Sequence, residues 1–245
     1  MWCHNVPWIV FADLKDNKTM SKIYFEDTYI AVIPSYQETE KHKHSMLHVF
    51  VGNESLRMDG VTPGKLIILE QNVVHQRPEG DISFFLFVDP TSNFADILRN
   101  DYLKGNNVFS SDEPVSSFEP DKAGIRAFIS LKFGESCFLR RENIDSRIGS
   151  LLENIDNYMY LDSRVTDIAG VLNYSESFLT HLFKNETGVS LKGYLLLRRF
   201  EYVWQRISAG EKMTSAIIEA GFSSPSHFSD TCRKLTGISA SDVLR

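Results

Sequence analysis

Four histidines, His42, His44, His48 and His75, are the residues in the first third of the chain whose type and spacing could do chemistry. His42, His44 and His48 share parity, so on one strand their imidazoles face the same side. His75 follows His44 by 31 residues, just past an apolar run at residues 66–69. Neutral ring nitrogens suit divalent transition metals, and the four could hold Zn, Ni, Fe or Cu. The same side chains could instead line a pocket for an organic effector, or simply satisfy their own hydrogen bonds. Oxygenase or isomerase chemistry would also need an open coordination position and a base for the substrate. No residue stands out as that base, so an enzyme is not expected.

These histidines need strands to position them. Residues 23–25, 29–33, 48–51, 65–69 and 82–88 are short runs rich in β-branched and aromatic side chains. Asp59-Gly60 and Thr62-Pro63-Gly64 read as turn signals between such runs. Their regular spacing predicts a small barrel or jelly roll. Helical spacing follows, with Phe94, Ile97 and Leu98 in residues 94–103 and Ile125, Phe128 and Ile129 in residues 122–133. Residues 112–121, rich in Pro, Ser and acid, read as a solvated loop between them. The two helices would either join a homodimer or cover an open face of the barrel.

The last third holds a pattern that occurs twice. Phe183-Lys184-Asn185-Glu186-Thr187-Gly188-Val189-Ser190 is answered by Cys232-Arg233-Lys234-Leu235-Thr236-Gly237-Ile238-Ser239 at an offset of 49. Asn173-Tyr174-Ser175 is answered by Gly221-Phe222-Ser223 at an offset of 48, which places one extra residue in the second turn. Each copy reads as helix, sharp turn, helix, over about 165–187 and 213–236. Asn173 and Gly221 stand where a left-handed backbone is usual. Ser175 and Ser224 are N-cap residues, and Pro225 fits a first helical position, where no N–H is needed.

In the first copy Val165, Ile168, Ala169 and Leu172, then Phe178, Leu179, Leu182 and Phe183, form the inner face. Ser177, Thr180, His181 and Lys184 are left outward, together with Glu176. The offset pairs Ser177 with Ser226, Thr180 with Ser229, His181 with Asp230 and Lys184 with Arg233, and His227 joins the second set. In a helix-turn-helix the outward N-terminal side of the second helix enters the major groove. Ser177, Thr180, His181, Ser226, His227 and Asp230 are therefore candidates for base edges. Lys184 and Arg233 are candidates for phosphate contacts, which position a protein without reading sequence. An amphipathic helix at residues 144–158 precedes the first copy, and another at 193–207 joins the two.

Composition agrees with this division. A chain of 245 residues with 42% hydrophobic and 24% charged residues is ordinary for one or two globular domains. The net charge of −6 is unevenly spread. From Arg140 onward there are 13 basic and 13 acidic residues against totals of 26 and 32, leaving 13 basic and 19 acidic ahead of it. A neutral DNA-binding half still works if its cations share a face, with modest salt-sensitive affinity. Cys3, Cys137 and Cys232 are few and far apart, without the spacing of a disulfide framework or a thiolate zinc site. Met1-Trp2-Cys3-His4 does not open a signal peptide, and no run approaches the roughly 18 apolar residues of a membrane span. A cytoplasmic protein without membrane contact is expected.

Residues 164–245 resemble the DNA-binding domain of the AraC/XylS family of bacterial transcription regulators. The resemblance is carried by Ile168-Ala169, Tyr174-Ser175, Leu182-Phe183-Lys184, Thr187-Gly188-Val189-Ser190, Arg198-Arg199-Phe200 and Gly221-Phe222-Ser223-Ser224-Pro225-Ser226-His227-Phe228-Ser229. In the front half, His42-Lys43-His44, Thr62-Pro63-Gly64 and Val74-His75 resemble the two motifs of the cupin fold, with His48 where metal-binding cupins have Glu. The resemblance implies a two-domain α+β chain. Residues 1–139 would form a cupin-like effector-binding and dimerising domain with following helices, and residues 140–245 an all-α double helix-turn-helix. It further implies an activator that answers a small molecule and contacts RNA polymerase. Asp230 departs from the basic or polar residue common at its position, and Cys232 departs from Phe. An Asp facing the groove repels phosphate although it can accept from cytosine N4, so the second copy should contribute less affinity than the first.

Overall fold

The computed structural model describes residues 9–10, 22–34, 39–113, 118–236 and 240. Cys3 and the opening residues around it, 114–117 of the solvated segment and Gly237-Ile238-Ser239 of the repeated block lie outside the described residues. The chain divides into two compact units, one built mainly by residues up to Arg141 and one by Glu142–Cys232.

The first unit is a seven-stranded sheet of β1 (Ile9–Val10), β2 (Lys22–Phe25), β3 (Tyr29–Ile33), β4 (Leu47–Met58), β5 (Val61–Leu69), β6 (Ile82–Val88) and β7 (Val108–Ser111). Its order is β1-β2-β3-β6-β4-β5-β7, with every neighbouring pair antiparallel. Alternation along the strands gives the sheet two different faces. Tyr29, Ala31, Leu47, Val49, Val51, Leu66, Ile68, Phe84, Leu86 and Val88 pack with Phe94, Leu98, Ile125, Phe128 and Ile129 into one core. Each fully buried Leu, Ile or Phe in that layer contributes about 1.5–3 kcal/mol. Residues of the other parity, Ile30, Val32, His48, Phe50, Ile67, Leu69, Phe85 and Phe87, line up across the opposite face by the pairings Ile30 with Phe87, His48 with Phe87, Phe50 with Phe85 and His48 with Leu69.

The strands expected from composition are present, and some run further. The β4–β5 hairpin turns at Asp59-Gly60, but Thr62-Pro63-Gly64 lies inside β5 rather than in a turn. The ladder shifts register there, which accommodates a proline that cannot donate. Gly64 is needed because β7 presses close: a Cβ would stand 2.4 Å from Ser110 Oγ and 2.7 Å from the Ser111 carbonyl oxygen. The region expected as one helix over 94–103 is α1 (Asn93–Ile97), capped by Ser92 and continued by a π-helical stretch, Leu98–Leu103. α2 (Lys122–Phe133) is capped by Asp121, whose Oδ1 accepts from the Gly124 N–H at 2.8 Å. Among the described residues no helix is long and apolar enough to cross a membrane.

The second unit contains α3 (Ser146–Asp156), α4 (Val165–Val171), α5 (Glu176–Thr187), α6 (Leu191–Ser208), α7 (Met213–Glu219) and the start of α8 (Pro225–Thr236). Ile148, Leu151, Leu152, Ile155, Ile168, Leu179, Phe183 and Tyr194 form its first core. Around the second pair of helices, Phe228 packs against Phe222 at 5.2 Å, Trp204 at 5.8 Å and Phe200 at 6.1 Å between ring centroids. α6 thus supplies both cores from one continuous helix. Midway along it Arg198 is buried, bonded to Glu201 at 2.5 Å, Asp156 at 2.8 Å and Tyr194 Oη at 2.7 Å. A buried cation with that many partners holds the helix in one register, and removing a partner would leave a charge uncompensated.

Candidate functional site

The turns and caps of the two helix-turn-helix units determine which side chains reach solvent. Asn173 has φ 58° and Gly221 has φ 79°, so each chain reversal passes through the left-handed region. Ser175 Oγ then accepts from the Phe178 N–H at 3.2 Å and Ser224 Oγ from the His227 N–H at 3.1 Å. These bonds satisfy helix-end donors and aim the first turn of α5 and α8 outward. Since Asn173 and Gly221 are 48 residues apart and the two caps 49, the extra residue of the second copy does lie in the turn.

Ser177, His181 and Lys184 are exposed at i, i+4 and i+7 along α5, and Ser226, Asp230 and Arg233 take the same stripe along α8, with His227 beside it. Thr180 is only half exposed, and its hydroxyl donates to the carbonyls of Glu176 at 2.9 Å and Ser177 at 3.0 Å. That hydroxyl is engaged with its own helix. The ring of His227 meets Ser223 Oγ through Nδ1 at 3.1 Å and stands edge-on to Phe222 at 5.4 Å, which restrains it on the surface. Cys232 is fully buried, and burial pushes its thiol pKa up, so it is a core residue with no exposed chemistry.

Phe178 corrects the helical-wheel reading. It does not point into the core but is 44% exposed. It lies against Tyr174 at 5.1 Å, with the Arg147 guanidinium 5.7 Å above its ring. Arg147 is held by Asp145 at 2.5 Å, and those hydrogen bonds lower the Asp145 carboxyl to about 2. Neither Phe178 nor Arg147 was among the residues expected at the surface. The 49-residue offset carried the signal for Phe178, because it pairs that residue with His227, already assigned outward.

In the first unit the four histidines do come together, for a different reason than strand parity. Only His48 lies in β4. His42 and His75 form an isolated antiparallel bridge, each N–H donating to the other's carbonyl at 2.9 Å, and His44 sits in the turn before β4. Their ligand nitrogens all lie within 4.8 Å of one another. His44, His48 and His75 are buried and His42 is half-buried. The group continues the aromatic face of the sheet, with His48 stacked on Phe50 at 4.7 Å and tilted against Phe87 at 4.6 Å.

Burial is the main cause that lowers the pKa of all four imidazoles, and neighbouring imidazoles add to it at His44, His48 and His75. His75 is pushed down to about 4, although the Val73 carbonyl opposes the shift. At neutral pH the cluster is uncharged, the state in which imidazole can ligate a metal or accept a hydrogen bond.

Residues 168–245 match the family model described as a helix-turn-helix domain. Against curated proteins the sequence finds no match. Among solved structures, ToxT from Vibrio cholerae O395 is 14% identical, with 92% of this chain and 96% of that chain covered at a TM-score of 0.48. Unsaturated fatty acid bound wild-type ToxT from Vibrio cholerae strain SCE256 is 17% identical, covering 92% and 94% at 0.46. The C-terminal domain of AraT, a response regulator from Geobacillus stearothermophilus, is 21% identical over 42% of this chain and 88% of that chain, at 0.39.

Proposed function

We propose, from a C-terminal segment that is a helix-turn-helix domain of the AraC type, that this protein is a sequence-specific transcription regulator whose N-terminal unit responds to a small ligand. The observation that carries this reading is the pair of stripes Ser177, His181, Lys184 and Ser226, Asp230, Arg233, exposed on two second helices that α6 joins. Short polar side chains and an imidazole at these positions suit base edges, and Lys184 and Arg233 suit phosphates. We place the functional boundary near residue 140, with DNA binding in residues 140–245 and sensing ahead of it. In this reading the protein works in the cytoplasm on double-stranded DNA, activates by contact with RNA polymerase, pairs as a homodimer and is not an enzyme.

Selection of duplexes from a random pool by the full-length protein tests the reading. Enrichment of a bipartite sequence with its two parts about one helical turn, roughly 10 base pairs, apart is expected. Binding that enriches no sequence and depends only on salt would remove the claim of sequence-specific regulation.

A further inference from the structure

The four histidines form a donor set without any carboxylate or thiolate. Each ring's hydrogen bonds determine where its proton sits. His42 Nδ1 faces the Glu40 carbonyl at 2.8 Å and His75 Nδ1 faces the Val73 carbonyl at 2.8 Å. A carbonyl only accepts, so both rings carry the proton on Nδ1 and leave Nε2 bare. Nε2 of His75 is buried there and has no hydrogen-bond partner. His44 is different: the Met46 N–H donates to its Nδ1 at 3.2 Å, so its proton sits on Nε2 and is donated to His48 Nε2 at 2.8 Å. The Nε2 lone pairs of His42 and His75 are therefore open, that of His48 is taken by the His44 N–H, and the ligand atoms of all four rings lie within 4.8 Å of one another.

A purely structural role does not account for this arrangement. The same sheet face is filled elsewhere by Ile30, Ile67, Leu69 and Phe85, which bury no polar atom. A buried acceptor without a donor, as at His75 Nε2, is costly. An ion that accepts nitrogen lone pairs does relieve it. Backbone carbonyls on Nδ1, as at His42 and His75, are the supporting contacts that orient a metal-bound imidazole.

We propose that Nε2 of His42, His48 and His75 binds one divalent transition-metal ion of the zinc class, with His44 as an adjustable fourth ligand, and that this ion is what the N-terminal unit senses. The sensing half rests on the regulator reading; the site itself does not. The three first-named rings need no change of tautomer. His44 must move its proton to Nδ1 and give up the Met46 amide, so it should be the weakest of the four. Four nitrogen ligands suit tetrahedral Zn(II).

The test uses the full-length protein without a polyhistidine tag, stripped with chelator and titrated with Co(II) and then Zn(II). One ion per chain is expected, with visible Co(II) absorption of tetrahedral nitrogen ligation that Zn(II) abolishes. His75→Gln and the half-buried His42→Gln should each weaken uptake by more than the roughly 10–100-fold that loss of a supporting contact costs, and His44→Gln should fall within that range. No uptake by the folded wild-type protein, or uptake unchanged in both His42→Gln and His75→Gln, overturns the site. The near-ultraviolet dichroism of each variant identifies misfolding, and His42→Gln, at the least buried position, carries the test if the others misfold. Affinity for the selected duplex, measured with and without Zn(II), should differ about tenfold. Equal affinity with the metal bound overturns the sensing half. Stoichiometric Zn(II) uptake by a protein that selects no duplex would instead count against the regulator reading and leave the site standing.

Discussion

The first helix-turn-helix unit reverses at Asn173 and the second at Gly221, both with positive φ, yet the two positions are not equivalent. Asn173 is exposed, and an Asn side chain tolerates the left-handed region there. Gly221 is backed by the chain before α4, where a Cβ would stand 2.9 Å from the Leu161 carbonyl oxygen and 3.0 Å from Asp162 Cα. One copy could accept a side chain at its turn and the other could not. The same divergence runs along the second helices. At matching positions the first unit presents Phe178 beneath Arg147, and the second presents His227 tied to Ser223. One step further, His181 is answered by Asp230, both exposed. A repeated frame thus preserves backbone geometry while neighbours and charge assign each copy its own task.

The turn comparison predicts the largest effect. Gly221→Ala should destabilise the second unit by about 3 kcal/mol, combining left-handed strain with the backbone clash, whereas Asn173→Ala should cost about 1 kcal/mol. Urea unfolding followed by Trp204 fluorescence measures both, and equal losses at the two turns would show that the close approach at Leu161 does not matter. On DNA, His181→Ala should reduce discrimination between the selected and a random duplex by about 2 kcal/mol. Asp230→Asn should strengthen binding to both duplexes, since it removes a like charge from the phosphates. If Asp230→Asn instead lowered discrimination as much as His181→Ala, the second helix would be an equal reader of sequence. The smallest effect is at the caps: Ser175→Ala and Ser224→Ala should each cost about 1 kcal/mol of stability. A larger loss at one of them would locate the weaker unit.

Much of the helical half was legible because its signals are local. Ser175 lies one residue before α5 and Gly188 ends it with φ 77°, so that helix begins and ends where its caps place it. A helical wheel misplaces Phe178 because it weighs apolar character alone, and the Arg147 cation over its ring comes from α3. In the sheet, the runs that became strands were readable from β-branched and aromatic content. β7 was not, because it pairs with a strand distant in sequence, and neither was the passage of Pro63 through β5, because it depends on a register shift in the β4–β5 ladder.

The histidines divide in the same way. Their number, spacing and affinity for transition metals are properties of the sequence. Their convergence is not, since His42 meets His75 across a bridge spanning 33 residues and His44 turns inward ahead of the strand that carries His48. What the sequence by itself determined is the doubled frame, its caps and its outward stripe, because a helix is built from bonds four residues apart. What only the tertiary structure decided is which ring nitrogens share one buried point and which hold protons, because that depends on backbone carbonyls and amides brought to them by the fold.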